Sequence, residues 1–164
     1  MVRAVRELSE AMELARLSSW YWSAPFEAPS QPDFLNAVAA FETNLAPEAL
    51  LGLCNRVEHS QGRIRDLFRG PRTLDLDILL YADLVHESPT LTIPHVELHR
   101  RRFVLAPLCE IAPEIVHPSL GWCVRELYGR CPDPGPVRRV HGSAEWAQLK
   151  AAARAPTNKV EPVV

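Results

Sequence analysis

Apolar and polar positions follow two different periods along the first third of the chain. In residues 2–17, apolar side chains recur every three or four positions, which predicts an amphipathic helix. The segments 18–23 and 34–43 are typical of strands, and a Pro- and Ser-rich loop at 24–32 separates them. Pro47 suits the first position of a helix, so a second helix is predicted from there to about Ser60.

Shorter elements are predicted after residue 70. A strand is expected at 74–80, a short strand at 91–93, and helices at 103–111, 122–129 and 144–155. This mixture of strands and helices predicts an α+β fold with a largely antiparallel sheet. We expect residues 1–130 to form one domain. Residues 131–164 are expected to be a partly helical C-terminal extension whose last eight or so residues are frayed.

The most informative run is 71–80, where two carboxylates lie one residue apart among apolar residues. In a strand Asp75 and Asp77 would share one face, about 7 Å apart, because successive side chains point to opposite faces. Two oxygen ligands at this spacing suit Mg²⁺, which leaves its other positions to water and phosphates. Taken alone, such a pair is more often a solvated strand face.

Arginines near this pair change the interpretation. Arg63, Arg65 and Arg69 precede it and Arg72 begins the same segment. A planar guanidinium matches phosphate oxygens in bidentate contacts, so carboxylates and arginines together indicate phosphoryl transfer. The net charge of −2 and the pI near 6.3 give no argument for nucleic acid or an anionic membrane as partner.

The four cysteines form no CxxC pair and predict buried thiols in a reducing cytoplasm. The first seven residues are too charged for the apolar core of a signal peptide, and no segment reaches the length of a membrane span. We therefore expect a cytosolic protein without membrane association.

Three motifs resemble the 6-hydroxymethyl-7,8-dihydropterin pyrophosphokinases of folate biosynthesis. They are Gly-Pro-Arg-Thr-Leu-Asp-Leu-Asp-Ile-Leu-Leu at 70–80, Leu-Thr-Ile-Pro-His at 91–95, and Phe-Val-Leu-Ala-Pro-Leu at 103–108. The resemblance implies a ferredoxin-like α+β fold. It also implies transfer of the β,γ-diphosphoryl group of ATP to the pterin hydroxymethyl oxygen with release of AMP.

The resemblance also implies roles for individual residues. Asp75 and Asp77 would hold two Mg²⁺ ions, and contacts to ATP would come from Arg63, Arg72, His95, Glu58 and Arg101. Arg65 would belong to a mobile catalytic loop. The pterin would stack between Phe34 and Phe103, with Asn36 and the Ser23 region at its polar edge.

Two departures from the family pattern are expected to matter. The loop before Gly70 is one residue short, so closure over ATP would be altered. The chain also begins inside the family's first helix, so the first strand and its Gly-Ser-Asn turn would be missing from the sheet and from the floor of the site.

Other interpretations remain open at this point. His95 after a proline would ordinarily be a turn or capping residue, and Phe34 and Phe103 would ordinarily be core aromatics. A truncated copy that binds nucleotide or a partner protein without turnover would keep the same motifs. A ferredoxin-like RNA-binding module fits the fold class, but the aromatic RNP pattern and a basic charge are lacking.

Overall fold

The computed structural model describes residues 1–24, 33–62, 74–153 and 162–163. The helices are α1 (Val2–Ser9), α2 (Pro47–Ser60), α3 (Arg102–Ile111), α4 (Val124–Arg130) and α5 (Ala144–Ala152), with a 3₁₀ turn at Leu98–Arg100. The strands are β1 (Glu13–Leu17), β2 (Trp20–Ser23), β3 (Phe34–Asn36), β4 (Ala39–Glu42), β5 (Leu80–Tyr81), β6 (His86–Glu87), β7 (Thr92–Ile93), β8 (Val137–Val140) and β9 (Pro162–Val163). The predicted α+β class is confirmed.

A four-stranded sheet with the order β1-β4-β9-β5 separates the two halves of the core. Its pairings are antiparallel. Side chains alternate along β4, so Ala39 and Phe41 join one apolar cluster with α1 and α2, while Ala40 joins the other with α3 and α4. Burial on both faces explains why β4 is almost entirely apolar.

The C-terminal part of the chain takes part in this architecture. Strand β8 pairs antiparallel with β2, which also pairs with β3. Trp146 of α5 is buried in the first apolar cluster, and its indole N–H donates to the Ser18 carbonyl at 2.9 Å. Within the last eight residues, which the sequence predicts to be frayed, Pro162–Val163 form β9, where the backbone of Val163 lies opposite both Ala40 and Leu80.

The prediction of one helix from 2 to about 17 is wrong in its second half. Helix α1 ends at Ser9, and the backbone N–H of Met12 still bonds to the carbonyl of Leu8 before the chain becomes β1. Pairing of β1 with β4 decides the outcome, since Ala15 and Leu17 are buried with the period of a strand. The strand predicted at 34–43 is likewise interrupted at residues 37–38, which separate β3 from β4.

Helix α2 confirms the prediction, with Pro47 in its first turn and Gly62 at φ +86° just after its end. Strand β7, α3, α4 and α5 occupy parts of the ranges predicted for them. The four cysteines are free thiols, but only Cys54 is buried and the other three are half-buried, so the expectation of buried thiols is wrong for those three. Within the described ranges, no helix combines the length and apolar character needed to cross a membrane.

Candidate active site

Asp75 and Asp77 lie on a segment whose side chains alternate as predicted. Both are exposed, while Leu74, Leu76 and Ile78 pack against the first apolar cluster. The prediction of a strand over 74–80 is wrong for residues 74–79, because only Leu80 and Tyr81 join a ladder. The two carboxylates nevertheless emerge on one side of the segment.

Two contacts fix this segment in place. The Leu76 N–H, between the two aspartates, donates to the Glu58 carboxylate at 2.8 Å, and the His95 N–H donates to the Leu79 carbonyl at 2.9 Å. Glu58 is only 3% exposed. The sequence placed Glu58 at the nucleotide, whereas in the structure this carboxylate supports the backbone between the aspartates.

The carboxylates of Asp75 and Asp77 suit a cation that takes few of its ligands from the protein. Nowhere in residues 1–24, 33–62, 74–153 or 162–163 do three or more His, Cys, Asp or Glu side chains form a group able to hold a metal ion. Mg²⁺ commonly binds through one or two carboxylates and takes its other oxygens from water and phosphates. Exposed Asp75 and Asp77 are two carboxylates of this kind.

The surroundings of His95 favour the neutral form of its imidazole. Burial lowers the pKa of His95, Arg101 lowers it further, and the nearby Asp77 opposes this shift. The imidazole is therefore neutral at pH 7. The Glu97 N–H donates to Nδ1 at 3.2 Å, which places the remaining proton on Nε2. A phosphate oxygen could accept that proton in a hydrogen bond.

The three arginines at 100–102 have different surroundings. Arg100 approaches Glu97 at 4.0 Å. Arg102 donates through Nε to the Asp133 carbonyl at 2.9 Å and lies over the Tyr128 ring, with 5.2 Å from Cζ to the ring centroid. Arg101 lies near the Phe103 ring at 5.9 Å and is close enough to His95 to shift its pKa. The nucleotide-side role of Arg101 stays a prediction.

A second group of predicted residues lies on strands β2 and β3. The Asn36 side-chain amide N–H donates to the Ser23 hydroxyl at 2.9 Å and to the Tyr21 carbonyl at 3.2 Å. These bonds fix the amide and leave its Oδ1 without a donor among the described residues. Phe34 is 44% exposed, which is unlike a core aromatic.

Helix α3 connects the two groups. It packs against both β2 and β3, so the helix that carries Phe103 lies beside the strand that carries Phe34. Phe103 is half-buried at the start of this helix, next to Arg101. The structure describes nine of the predicted site residues, whose roles stay predictions: Ser23, Phe34, Asn36, Glu58, Asp75, Asp77, His95, Arg101 and Phe103. Arg63, Arg65 and Arg72 lie outside the described residues.

A cavity of about 250 Å³ adjoins His95 and was missed by the sequence interpretation. Its walls include Thr92 of β7, His99 of the 3₁₀ turn and His117 of the connection between α3 and α4. The His-rich composition of residues 86–117 is visible in the sequence, but its convergence on one cavity depends on tertiary packing.

Comparison with known proteins identifies the family. A sequence model of the 7,8-dihydro-6-hydroxymethylpterin-pyrophosphokinase (HPPK) family matches residues 1–113. A 2-amino-4-hydroxy-6-hydroxymethyldihydropteridine pyrophosphokinase of Haemophilus influenzae is 47% identical over 118 residues, 72% of this chain and 73% of that protein. The enzyme of the same name from Pseudomonas aeruginosa is 45% identical over 130 residues, 79% of each chain.

Another relative contains the matching region as a small part of a longer protein. The folic acid synthesis protein fol1 of Schizosaccharomyces pombe is 41% identical over 126 residues, 77% of this chain but only 17% of that protein. With the matched range holding Asp75, Asp77, His95 and Phe103, the resemblance predicted from the motifs is confirmed. The chain belongs to the HPPK family, ATP-dependent diphosphotransferases of folate synthesis.

Proposed function

We propose that this chain transfers diphosphate from ATP to 6-hydroxymethyl-7,8-dihydropterin, giving AMP and the pterin diphosphate. The observation that carries the proposal is the exposed aspartate pair, which Glu58 and the His95 backbone hold in place beside the neutral imidazole of His95. Membership of the HPPK family supports the same reaction.

In this proposal the hydroxymethyl oxygen forms a bond to the β-phosphorus of ATP. The bond from that phosphorus to the oxygen bridging the α- and β-phosphates breaks, and AMP leaves with the bridging oxygen. The hydroxyl proton is released to solvent. The reaction depends mainly on alignment of the two substrates and on neutralisation of phosphate charge.

Asp75 and Asp77 would hold Mg²⁺, two ions in our proposal, at their exposed carboxylates. The bound metal would supply charge neutralisation at the phosphate oxygens. His95 would donate its Nε2 proton to a phosphate oxygen, and Arg101 would add a positive charge on the nucleotide side. Arg63, Arg65 and Arg72 are proposed as further phosphate contacts on the basis of their positions in the motif.

The pterin would lie against α3 and β3, between the rings of Phe34 and Phe103. Phe34 is 44% exposed, so part of its surface is available for stacking. Asn36 would accept a hydrogen bond from the pterin edge through Oδ1, since its N–H group is bonded to Ser23 and Tyr21. Ser23 would position this amide.

Three broader proposals accompany the reaction. Residues 1–130 would form the catalytic domain, and residues 131–164 would be an extension that packs onto it. The partners would be the two small-molecule substrates, without nucleic acid or membrane. The composition of the chain supports a cytoplasmic location.

The decisive experiment follows the nucleotide product. The purified chain is incubated with ATP and the hydroxymethyl dihydropterin, with Mg²⁺ and with excess chelator, and the nucleotides are separated by chromatography. We expect AMP in equal amount to pterin diphosphate, and none when the metal is chelated. Formation of ADP would contradict diphosphate transfer, and absence of any product with retained binding of both substrates would favour the inactive copy.

A further inference from the structure

Asp133 is the buried acid of the C-terminal part of the chain, and its contacts lead to α3. Its side chain is 6% exposed. One carboxylate oxygen accepts from the Arg102 N–H at 3.0 Å, and the other accepts from the Gly135 N–H at 2.7 Å. Its own carbonyl accepts from Arg102 Nε at 2.9 Å. Two of these bonds fix Asp133 against Arg102, the first residue of α3, and the third closes the turn at residues 133–135.

Helix α3 needs an acceptor at this end. Its N-cap residue is Arg101, which provides no side-chain cap, and its first turn contains no acidic residue. The first backbone N–H groups of a helix have no partner within the helix, and a negative charge there is favourable to the helix dipole. Asp133 supplies both the acceptor and the charge from 31 residues further along the chain.

The Asp133 carboxylate lies close to the backbone of Gly135. A Cβ added at Gly135 would lie 2.9 Å from Asp133 Oδ1, so a larger residue at 135 would displace the carboxylate or the turn. Arg102 is held on its other side by the Tyr128 ring. The Asp133 carboxylate is thus held by two backbone N–H groups, one from Arg102 and one from Gly135.

The residue that Asp133 holds lies between two residues of the candidate site. Arg101 and Phe103 flank Arg102, and their side chains contact each other. We propose that Asp133 is a positioning residue for the reaction, which fixes the first turn of α3 so that Arg101 faces the nucleotide and Phe103 faces the pterin. This inference rests on the proposed function. It gives the C-terminal extension a part in substrate binding, although the extension lies beyond the matched range 1–113.

The test compares Asp133→Ala and Asp133→Asn with a matched control. Glu126→Ala is suitable, since the Glu126 carboxylate accepts from the Cys123 N–H at the start of α4, a helix without any proposed site residue. Each protein is measured by hydrogen exchange at the amides of residues 102–104, by titration with the dihydropterin, and by KM and kcat for both substrates.

We expect Asp133→Ala to raise exchange at residues 102–104 and to weaken dihydropterin binding about tenfold, with partial recovery in Asp133→Asn. The Glu126→Ala control should alter neither quantity. Unchanged exchange at 102–104 would overturn the inference. Faster exchange with wild-type affinity for both substrates would also overturn it, by showing that Asp133 only stabilises the fold.

Failure of the proposed function would give results different from those that overturn the inference about Asp133. The wild-type chain would then fail to bind the dihydropterin or to form AMP, while the exchange at 102–104 would still respond to Asp133→Ala. That result would retain the anchoring of α3 by Asp133 and reject its part in this reaction.

Discussion

Among the described residues, two pairs of carboxylates near the candidate site differ in exposure. Asp75 and Asp77 are exposed on a segment without strand pairing over 74–79. Glu58 and Asp133 are buried, and each accepts a hydrogen bond from a backbone N–H close to proposed site residues. The exposed acids lie at the surface, where solvent reaches them, whereas the buried acids accept hydrogen bonds from the backbone.

This difference has an energetic basis. A buried carboxylate is retained only if hydrogen bonds compensate for its lost hydration. An exposed carboxylate keeps its hydration and can exchange water for a metal ion at low cost. Substitution of the exposed pair should therefore lower activity. Substitution of the buried acids should lower the free energy of unfolding.

The largest effect is expected at the exposed pair. Asp75→Ala or Asp77→Ala should lower the rate of AMP formation by orders of magnitude, because metal-borne charge stabilisation of several kcal/mol is removed. The melting temperature should change little, since both side chains are exposed. Asp83→Ala, at another exposed aspartate, is the control and should retain activity. Near-normal turnover in either Asp75→Ala or Asp77→Ala would show that the pair is a solvated face.

A smaller effect on rate and a larger one on stability are expected at Glu58. Glu58→Ala would leave the Leu76 N–H without its acceptor, at a cost of about 1–3 kcal/mol in the free energy of unfolding. Glu58→Gln keeps an acceptor oxygen and should recover part of this loss. Urea unfolding and KM for ATP distinguish the roles. A raised KM with unchanged stability would support the direct nucleotide contact predicted from the sequence.

The smallest effect concerns Glu110 and pH. Burial alone would raise the pKa of Glu110, but bonds from Lys150, Ser19 and Tyr21 outweigh it and hold the pKa below its usual 4.5. Because the folded-state pKa is lowered, the stabilisation is complete above pH 4.5 and is lost as the pH falls through the folded-state value.

The melting temperature of the wild type should therefore fall more steeply below pH 4.5 than that of Glu110→Gln. Thermal unfolding followed by circular dichroism from pH 7 to about pH 3 measures this difference. Parallel curves for the two proteins would mean that the Glu110 bonds contribute nothing to folding.

The sequence predicts best the elements that are marked by residues within or next to them. Pro47 marks the start of α2, and the motif residues around Asp75 and Asp77 show the alternation expected from the sequence. The boundary between α1 and β1 could not be predicted, because no Gly or Pro marks it and Met12 and Ala15 continue the helical spacing. Pairing with β4, a long-range effect, decides the conformation there.

The same limit applies to the candidate site. The exposed pair and the motif histidine could be selected from the sequence, since their neighbours in the chain carry the signal. The nucleotide role of Glu58 stays a prediction, and its bond to Leu76 could not be predicted because it joins residues 18 positions apart. Asp133 was not selected at all. The Pro-Asp-Pro-Gly sequence at 132–135 indicates a turn, but nothing in it indicates contact with α3.

The most direct test of the account is calorimetric titration of the wild type and Asp77→Asn with a non-hydrolysable ATP analogue, with and without Mg²⁺. We predict tight binding only by the wild type with Mg²⁺, weak binding by the variant under both conditions, and equal melting temperatures for the two proteins. Equal Mg²⁺-dependent affinity in both proteins would contradict the assignment of the exposed carboxylates to the metal and the nucleotide.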